Sequence, residues 1–342
     1  MKNIRFIRAA VVVALLFISF AATAREWHVN NKQGIPAHFS DINAAMASAD
    51  VVDGDTLYIG NGAVLGAQTI NKAVTVIGTG WNFIDSPITR AAINGDITIS
   101  ANGAKVQGLY INGRIKPDAN NIVIERCRFN GIQENSKQIN VLKLYSNYIT
   151  GNITGSRRSG QYEYGYDDVS KIYNKNWEIA GNIITGEIIT LNMATIANNV
   201  LVSSIKNILR RNHYILVANN IIICTADKNA IQYINHNSIF KNNVLSTSNE
   251  FDGNITLGSN DLALVFKCSG SVESGEYYSL KEGSPAIGAG ENGIDCGVMA
   301  GVYKFAPFGR PRNIPVLKKA SVPVMPTDGK VKVSFKIENN NE

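Results

Sequence analysis

The stretch "HYILVANNIIIC", His213 to Cys224, is aliphatic except for Asn219 and Asn220 at its middle. Asparagine is a turn former, so two of them inside a strand-like run ask what bends there. The same motif recurs along the chain. With Asn220 as position zero, "SNYITG" gives Asn147, "GNIITG" Asn182, "NNVLVS" Asn199 and "NNVLST" Asn243. Leu109 in "GLYING" and Cys127 in "RCRFNG" occupy the same slot, with successive spacings of 18, 20, 35, 17, 21 and 23 residues. A period near twenty is the mark of a solenoid.

Other columns keep the register. Position −3 holds Val106, Ile124, Leu144, Ile179, Ile196, Val217 and Phe240, all apolar. Position −5 holds Ala104, Ile122, Leu142, Trp177, Ala194, Ile215 and Ser238, and position +2 holds Ile111, Phe129, Ile149, Ile184, Leu201, Ile222 and Leu245. Position +4 is small throughout: Gly113, Gly131, Gly151, Gly186, Ser203, Cys224 and Thr247. The period-two alternation of a strand runs up to zero, breaks parity, and resumes after it. One strand ends and another begins, with a tight bend between. The zero-position asparagine is expected to take the left-handed conformation of that bend. Stacked on its equivalents about 4.8 Å away, it is also expected to form a hydrogen-bonded ladder.

Coils of about twenty residues with three short strands and such a corner resemble the pectate-lyase-like superfamily, whose asparagine ladder lies between its second and third strands. The resemblance implies an all-β fold: a single-stranded right-handed parallel β-helix with three-strand coils, an asparagine ladder and an N-terminal helical cap. "FSDINAAMASADVVDGDTLYI" (39–59) is similar to the family's opening segment, a short helix and a GDT-plus-strand element. Phe39, Ile42, Ala45, Met46 and Ala49 would pack over the first coil. "GSPAIGAG" (283–290), followed by "DCG", is similar to the closing motif of many such solenoids. These motifs specify fold rather than activity.

The expected organisation is a signal peptide at 1–24, a β-helix at 25–306 with its capping segment at 36–59, and a Pro-rich linker with a tail strand at 307–342. Lys2, Arg5 and Arg8 precede the run "AAVVVALLFISFAA", and "ATA" at 22–24 suits cleavage. The protein is therefore expected to be secreted, periplasmic or at the cell surface, with no transmembrane segment after cleavage. Removing the leader lowers the excess of base from 33 − 27 = +6 to 30 − 27 = +3. That charge gives no support for nucleic-acid binding. A monomer is expected. In "KVKVSFKIE", Val331, Val333, Phe335 and Ile337 share one side. A lone strand is unstable, so it must pair with the solenoid, another chain or another surface.

No CxxC and no zinc spacing occurs, and carboxylates do not fall in one column, so neither a metal nor a cofactor is expected. Cys127 and Cys224 lie four ladder steps apart at about 4.8 Å per step, too far for a bond that spans about 7 Å between Cα atoms. If a disulfide forms, Cys268–Cys296 is the candidate. "GAGENG" (288–293) matches GxGxxG but lacks the following helix of a dinucleotide site. "NIT" at 152 and at 254 matches a glycosylation acceptor.

The 35-residue step from Asn147 to Asn182 contains an extra loop, "NITGSRRSGQYEYGYDDVS" (152–170). In enzymes of the resembled superfamily, loops at this corner wall a polysaccharide groove. Arg157, Arg158, Tyr162, Tyr164, Tyr166, Asp167 and Asp168 are the candidate substrate-binding residues, since arginines pair with uronate carboxylates and tyrosines stack on sugars. The alternative is a solvated loop with a self-packed tyrosine cluster. Seven places before zero, Asn140, Lys175, Asn192, His213 and His236 form a polar column. It is either a proton-transfer and sugar-binding line, with Arg210, Arg211 and His213 as catalytic candidates, or a second structural ladder at the other corner. Pectin-type hydrolases of this fold carry an NxD, a DD and a GHG. Only Asp167–Asp168 matches the DD, no GHG occurs, and "RIK" at 114–116 comes too early. The functional expectation is a secreted protein that binds a polysaccharide, with β-elimination as the reaction if it cleaves. The competing expectation is a non-catalytic adhesin or scaffold that docks through its tail.

Overall fold

The computed structural model describes residues 24–82, 90–133, 138–155, 174–204, 208–224, 237–247, 253–272, 275–310, 316–321 and 333–338. The fold is a parallel β-helix. Sheet A stacks ten parallel strands from Glu26–Val29 to Ile239–Lys241, and sheet B stacks ten from Val64–Leu65 to Ile255–Thr256. Sheet C has two three-stranded blocks, Gln68–Ile70 to Ile115–Pro117 and Ile153–Thr154 to Leu209–Arg210. Single bridges from Ile132 to Ile115 and to Ile153 join the blocks.

The columns are the register. Val106, Ile124, Leu144, Ile179, Ile196, Val217 and Phe240 pair in succession across sheet A. They form one buried stack with the +2 residues of sheet B. At zero, Asn147, Asn182, Asn199, Asn220 and Asn243 are all fully buried. From Asn182 onward each side-chain oxygen accepts two bonds from the preceding rung: Asn220 Oδ1 takes the Asn199 main-chain N–H at 2.8 Å and its Nδ2 at 3.0 Å. Each Nδ2 also donates to a carbonyl one coil back, as Asn220 does to Ile196 O at 2.8 Å. Asn254 adds a further rung, accepting from Asn243 N and Nδ2, so its NIT sequon is part of the frame.

The left-handed residue is not the ladder asparagine but the one before it. Gly108, Arg126, Ser146, Gly181, Asn198, Asn219 and Asn242 all have φ between 53° and 68°. The two asparagines of "ANN" thus divide the work. Asn219 takes the positive φ, and Asn220 turns its amide into the core.

The cap follows its sequence. Asp41 accepts from Ala44 N at 2.7 Å and starts the helix Ile42–Ala47, which buries Ile42, Ala45 and Met46. Phe39 packs beside them half-buried, whereas Ala49 is exposed. Asp55 of the GDT element is buried. Desolvation alone would raise its pKa. Bonds from Arg25 N, Val52 N and Trp27 Nε1 outweigh that and hold the carboxyl below its ordinary range.

Past Thr256 the chain stops adding strands to the coils. Outward-facing Ile183, Val200, Ile221 and Val244 of sheet B join Val265, Phe266, Tyr278, Ala286, Val298 and Phe305 in a second core. Sheet B is therefore apolar on both faces, as covered parallel sheets are, and this accounts for the uninterrupted "IIIC". The segment 290–310 then runs back along the ladder corner against the order of the coils. Cys296 Sγ lies 3.1 Å from Asn242 O, Gly297 N donates to Asn219 O at 2.9 Å, Ser146 Oγ donates to Lys304 O at 2.8 Å, and Trp81 N donates to Phe308 O at 2.9 Å. The Tyr303 ring stacks on Tyr145 at 3.6 Å, with 5° between their planes. "GSPAIGAG" lies in this outer layer.

All four cysteines, including Cys268 and Cys296, are thiols. Burial pushes the Cys127 and Cys296 thiols up to about 12. The tail segment Ser334–Glu338 pairs antiparallel with Val316–Ser321. Its partner therefore lies within the stretch read from sequence as a linker.

Replacing Asn199 by Ala removes the acceptor of Asn182 N and Nδ2 inside the core. Urea denaturation should show a loss of about 3 kcal/mol or more, since each unmet buried donor costs about 1–3 kcal/mol. A Cβ on left-handed Gly181 would collide with the Tyr303 carbonyl. Gly181→Ala should leave the coils folded but speed proteolysis and amide exchange within 290–310.

Candidate functional site

The sequence-derived loop residues Arg157, Arg158, Tyr162, Tyr164, Tyr166, Asp167 and Asp168 lie outside the described residues, as does His236. The feet of that insertion are described. Gly155 O accepts from the Thr190 hydroxyl at 3.3 Å, and buried Asn174 donates to Thr190 O at 2.8 Å while accepting from Asn192 N at 3.0 Å. Its ends are therefore pinned to the next coil.

Arg210, Arg211 and His213 occupy three different environments. Arg210 ends the last strand of sheet C and forks onto Glu187, with Nε–Oε1 at 2.9 Å and Nη2–Oε2 at 3.0 Å. Glu187 is buried and its main chain donates to Asn152 Oδ1 at 2.9 Å. The Arg210 charge is thus matched within the protein, in the planar geometry that favours such pairs. Asn152, the other sequon asparagine, belongs to this cluster. Arg211 is half-buried and left-handed, with φ 57°. His213 is 1% exposed. Its main chain bridges Asn192, and Asn140 bridges Lys175 in the same way.

Buried amides reinforce this corner. Asn212 accepts from Leu191 N at 2.9 Å and donates to Ile188 O at 3.1 Å. Asn174 instead bonds forward, to Asn192 and Thr190. Both asparagines stand one place ahead of the column expected from sequence. A surface proton-transfer line would need His213 at the surface.

The same corner carries a concavity. Asn121, Val141, Asn176, Met193, Tyr214 and Asn237 stand in one column, six places before zero, and all have φ between 49° and 58°. Asparagine suits this conformation. Met193 and Tyr214 do not, because a bulky residue at positive φ is an outlier. Both are 50% exposed, so burial of their own side chains does not offset the strain. Together with Asn176, Ala194, Thr195 and Leu216 they line a depression of ≈ 500 Å³. It lies on the outer face of sheet A. Along that face, Glu178 accepts from the Tyr145 hydroxyl at 2.6 Å and Lys241 pairs with Glu291 at 2.8 Å. Burial, then the Glu178 carboxylate, raise the Tyr145 pKa far above the ordinary phenol value, so it remains a donor.

Sequence reading missed Met193 and Tyr214. The signal was there: Gly103, Asn121, Asn176 and Asn237 mark the −6 column as a left-handed turn, and Val141, Met193 and Tyr214 depart from it, of which Val141 is half-buried and the other two are exposed.

Among the described residues, no group of three His, Cys, Asp or Glu side chains could hold a metal ion. Among them, no helix is long and apolar enough to cross a membrane. No protein-family model matches the chain, and no curated protein matches it. Among solved structures it is similar to the crystal structure of alginate lyase from Paenibacillus sp. str. FPU-7. The TM-score is 0.36 and the identity 10%, over 69% of this chain and 97% of that one.

Left-handed backbone strains an ordinary residue by about 1–2 kcal/mol. Met193→Asn and Tyr214→Asn should each therefore raise the unfolding free energy by about 1 kcal/mol, read by urea denaturation. Unchanged or lower stability would mean that these side chains are held by packing.

Proposed function

We propose that this protein is exported and binds a polysaccharide along the outer face of sheet A, at the depression lined by Met193 and Tyr214. The observation that carries the reading is the pair itself. Two large, half-exposed side chains sit on strained backbone where neighbouring coils use asparagine. Strain kept at an exposed position points to a use other than stability. The depression offers a tyrosine ring for stacking, with the Asn176 amide and Thr195 hydroxyl beside it. That mix of an apolar floor and a few polar groups suits a sugar chain. Export is inferred from the leader, where basic Lys2, Arg5 and Arg8 precede an apolar run.

Binding without cleavage is the form that the described residues favour. Arg210 is matched by Glu187, and His213 is buried away from solvent. The mature protein should be incubated with a panel of polysaccharides, with bound polymer, reducing ends and unsaturated-uronate absorbance all followed. Retention of at least one polymer with no new ends is the expected result. Accumulation of unsaturated uronate would replace binding by lyase activity, and new reducing ends without it by hydrolysis.

A further inference from the structure

We propose that the depression on sheet A takes an uncharged glycan chain, lying parallel to the solenoid axis, rather than a polyuronate. The inference rests on the polysaccharide reading above and names its substrate class. None of the six lining residues, Asn176, Met193, Ala194, Thr195, Tyr214 and Leu216, carries a charge at neutral pH. A chain with one carboxylate per sugar needs cations at matching intervals, and this floor supplies none.

Among the described residues, the charges of strands on the same face are matched: Glu178 has Lys143 as its strand neighbour, and Lys241 is paired with Glu291. Lys175 is exposed beside Asn176 at one end.

The geometry supplies the direction. Met193 and Tyr214 are equivalent residues of adjacent coils, as are Thr195 and Leu216, which are direct pairing partners. Coils repeat at about 4.8 Å, close to the length of one β-linked pyranose unit. A chain along the axis therefore meets the same pair of positions at each sugar. The outward residues next along these strands are Ala180, Ala197 and Ala218, so within these three coils no large side chain from that row crosses the path, and Tyr145 and Lys241 flank it in the coils on either side. A protein partner fits less well, because six residues line the depression whereas about 20–30 a side make a standard protein interface.

The test compares a β-1,4-linked glucan hexasaccharide with oligogalacturonate of equal length, by isothermal titration at low and high salt. Tyr214→Asn serves as the site variant, since it preserves the left-handed turn while removing the ring. The expected result is glucan binding whose affinity changes less than about twofold with salt, because no charge is there to screen. Tyr214→Asn should weaken that binding at least tenfold with no loss of melting temperature. Oligogalacturonate binding that weakens steeply with salt and is lost in Tyr214→Asn would overturn the uncharged class but keep the polysaccharide site. Binding of neither sugar, with a dimer in sedimentation that Tyr214→Asn dissociates, would overturn both in favour of self-association. Glucan binding untouched by Tyr214→Asn would overturn this location.

Discussion

The buried amide ladder is the constraint on which the remaining structure depends. A coil must turn sharply between sheets A and B, and the turn leaves main-chain groups pointing into an apolar core. Each ladder asparagine satisfies these groups and the amide of its neighbour together. Because every rung needs both adjacent rungs, the register of all the coils is coupled, and the spacing of sheet A transmits to sheet B. The left-handed residue before each rung aims the amide inward. Cys127 ends the row at the N-terminal side: its main chain donates to Asn147 Oδ1, but its thiol cannot accept in the same manner.

The outer layer is built on this corner. The left-handed residues bulge outward, and 290–310 runs over them, meeting Asn242, Asn219, Ser146 and Trp81 in turn. Glycine at 181 is required there because Tyr303 approaches its backbone closely. This covering explains why sheet B can be apolar on both faces without exposing a patch. The opposite corner, six places before zero, uses the same backbone conformation. There Met193 and Tyr214 depart from asparagine while remaining half exposed.

Several charges that look reactive in sequence are spent on the frame. Arg210 neutralises a carboxylate that the coil has buried, and Asn254 continues the amide ladder. Their surroundings come from residues one or more coils away, so composition near each position could not reveal their use.

The sequence by itself determined the repeat, the columns that face the core, the ladder and the helical cap. Each of these is written in residues that recur at a fixed offset, and stacking identical offsets is all that a parallel solenoid requires. It also drew attention to the second corner, through the polar column of Asn140, Lys175, Asn192, His213 and His236, although the left-handed residues stand one place after that column and show only once φ is known. Only the tertiary structure decided that the residue before each ladder asparagine takes the left-handed conformation, because in Asn-Asn pairs either residue suits it. Only it showed that 257–310 folds back over sheet B, since that contact joins non-repeating residues far apart in the chain and leaves no periodic trace. The depression depends on the same kind of information. Its six residues come from three coils, and its shape is set by what the neighbouring surfaces leave uncovered rather than by any one segment.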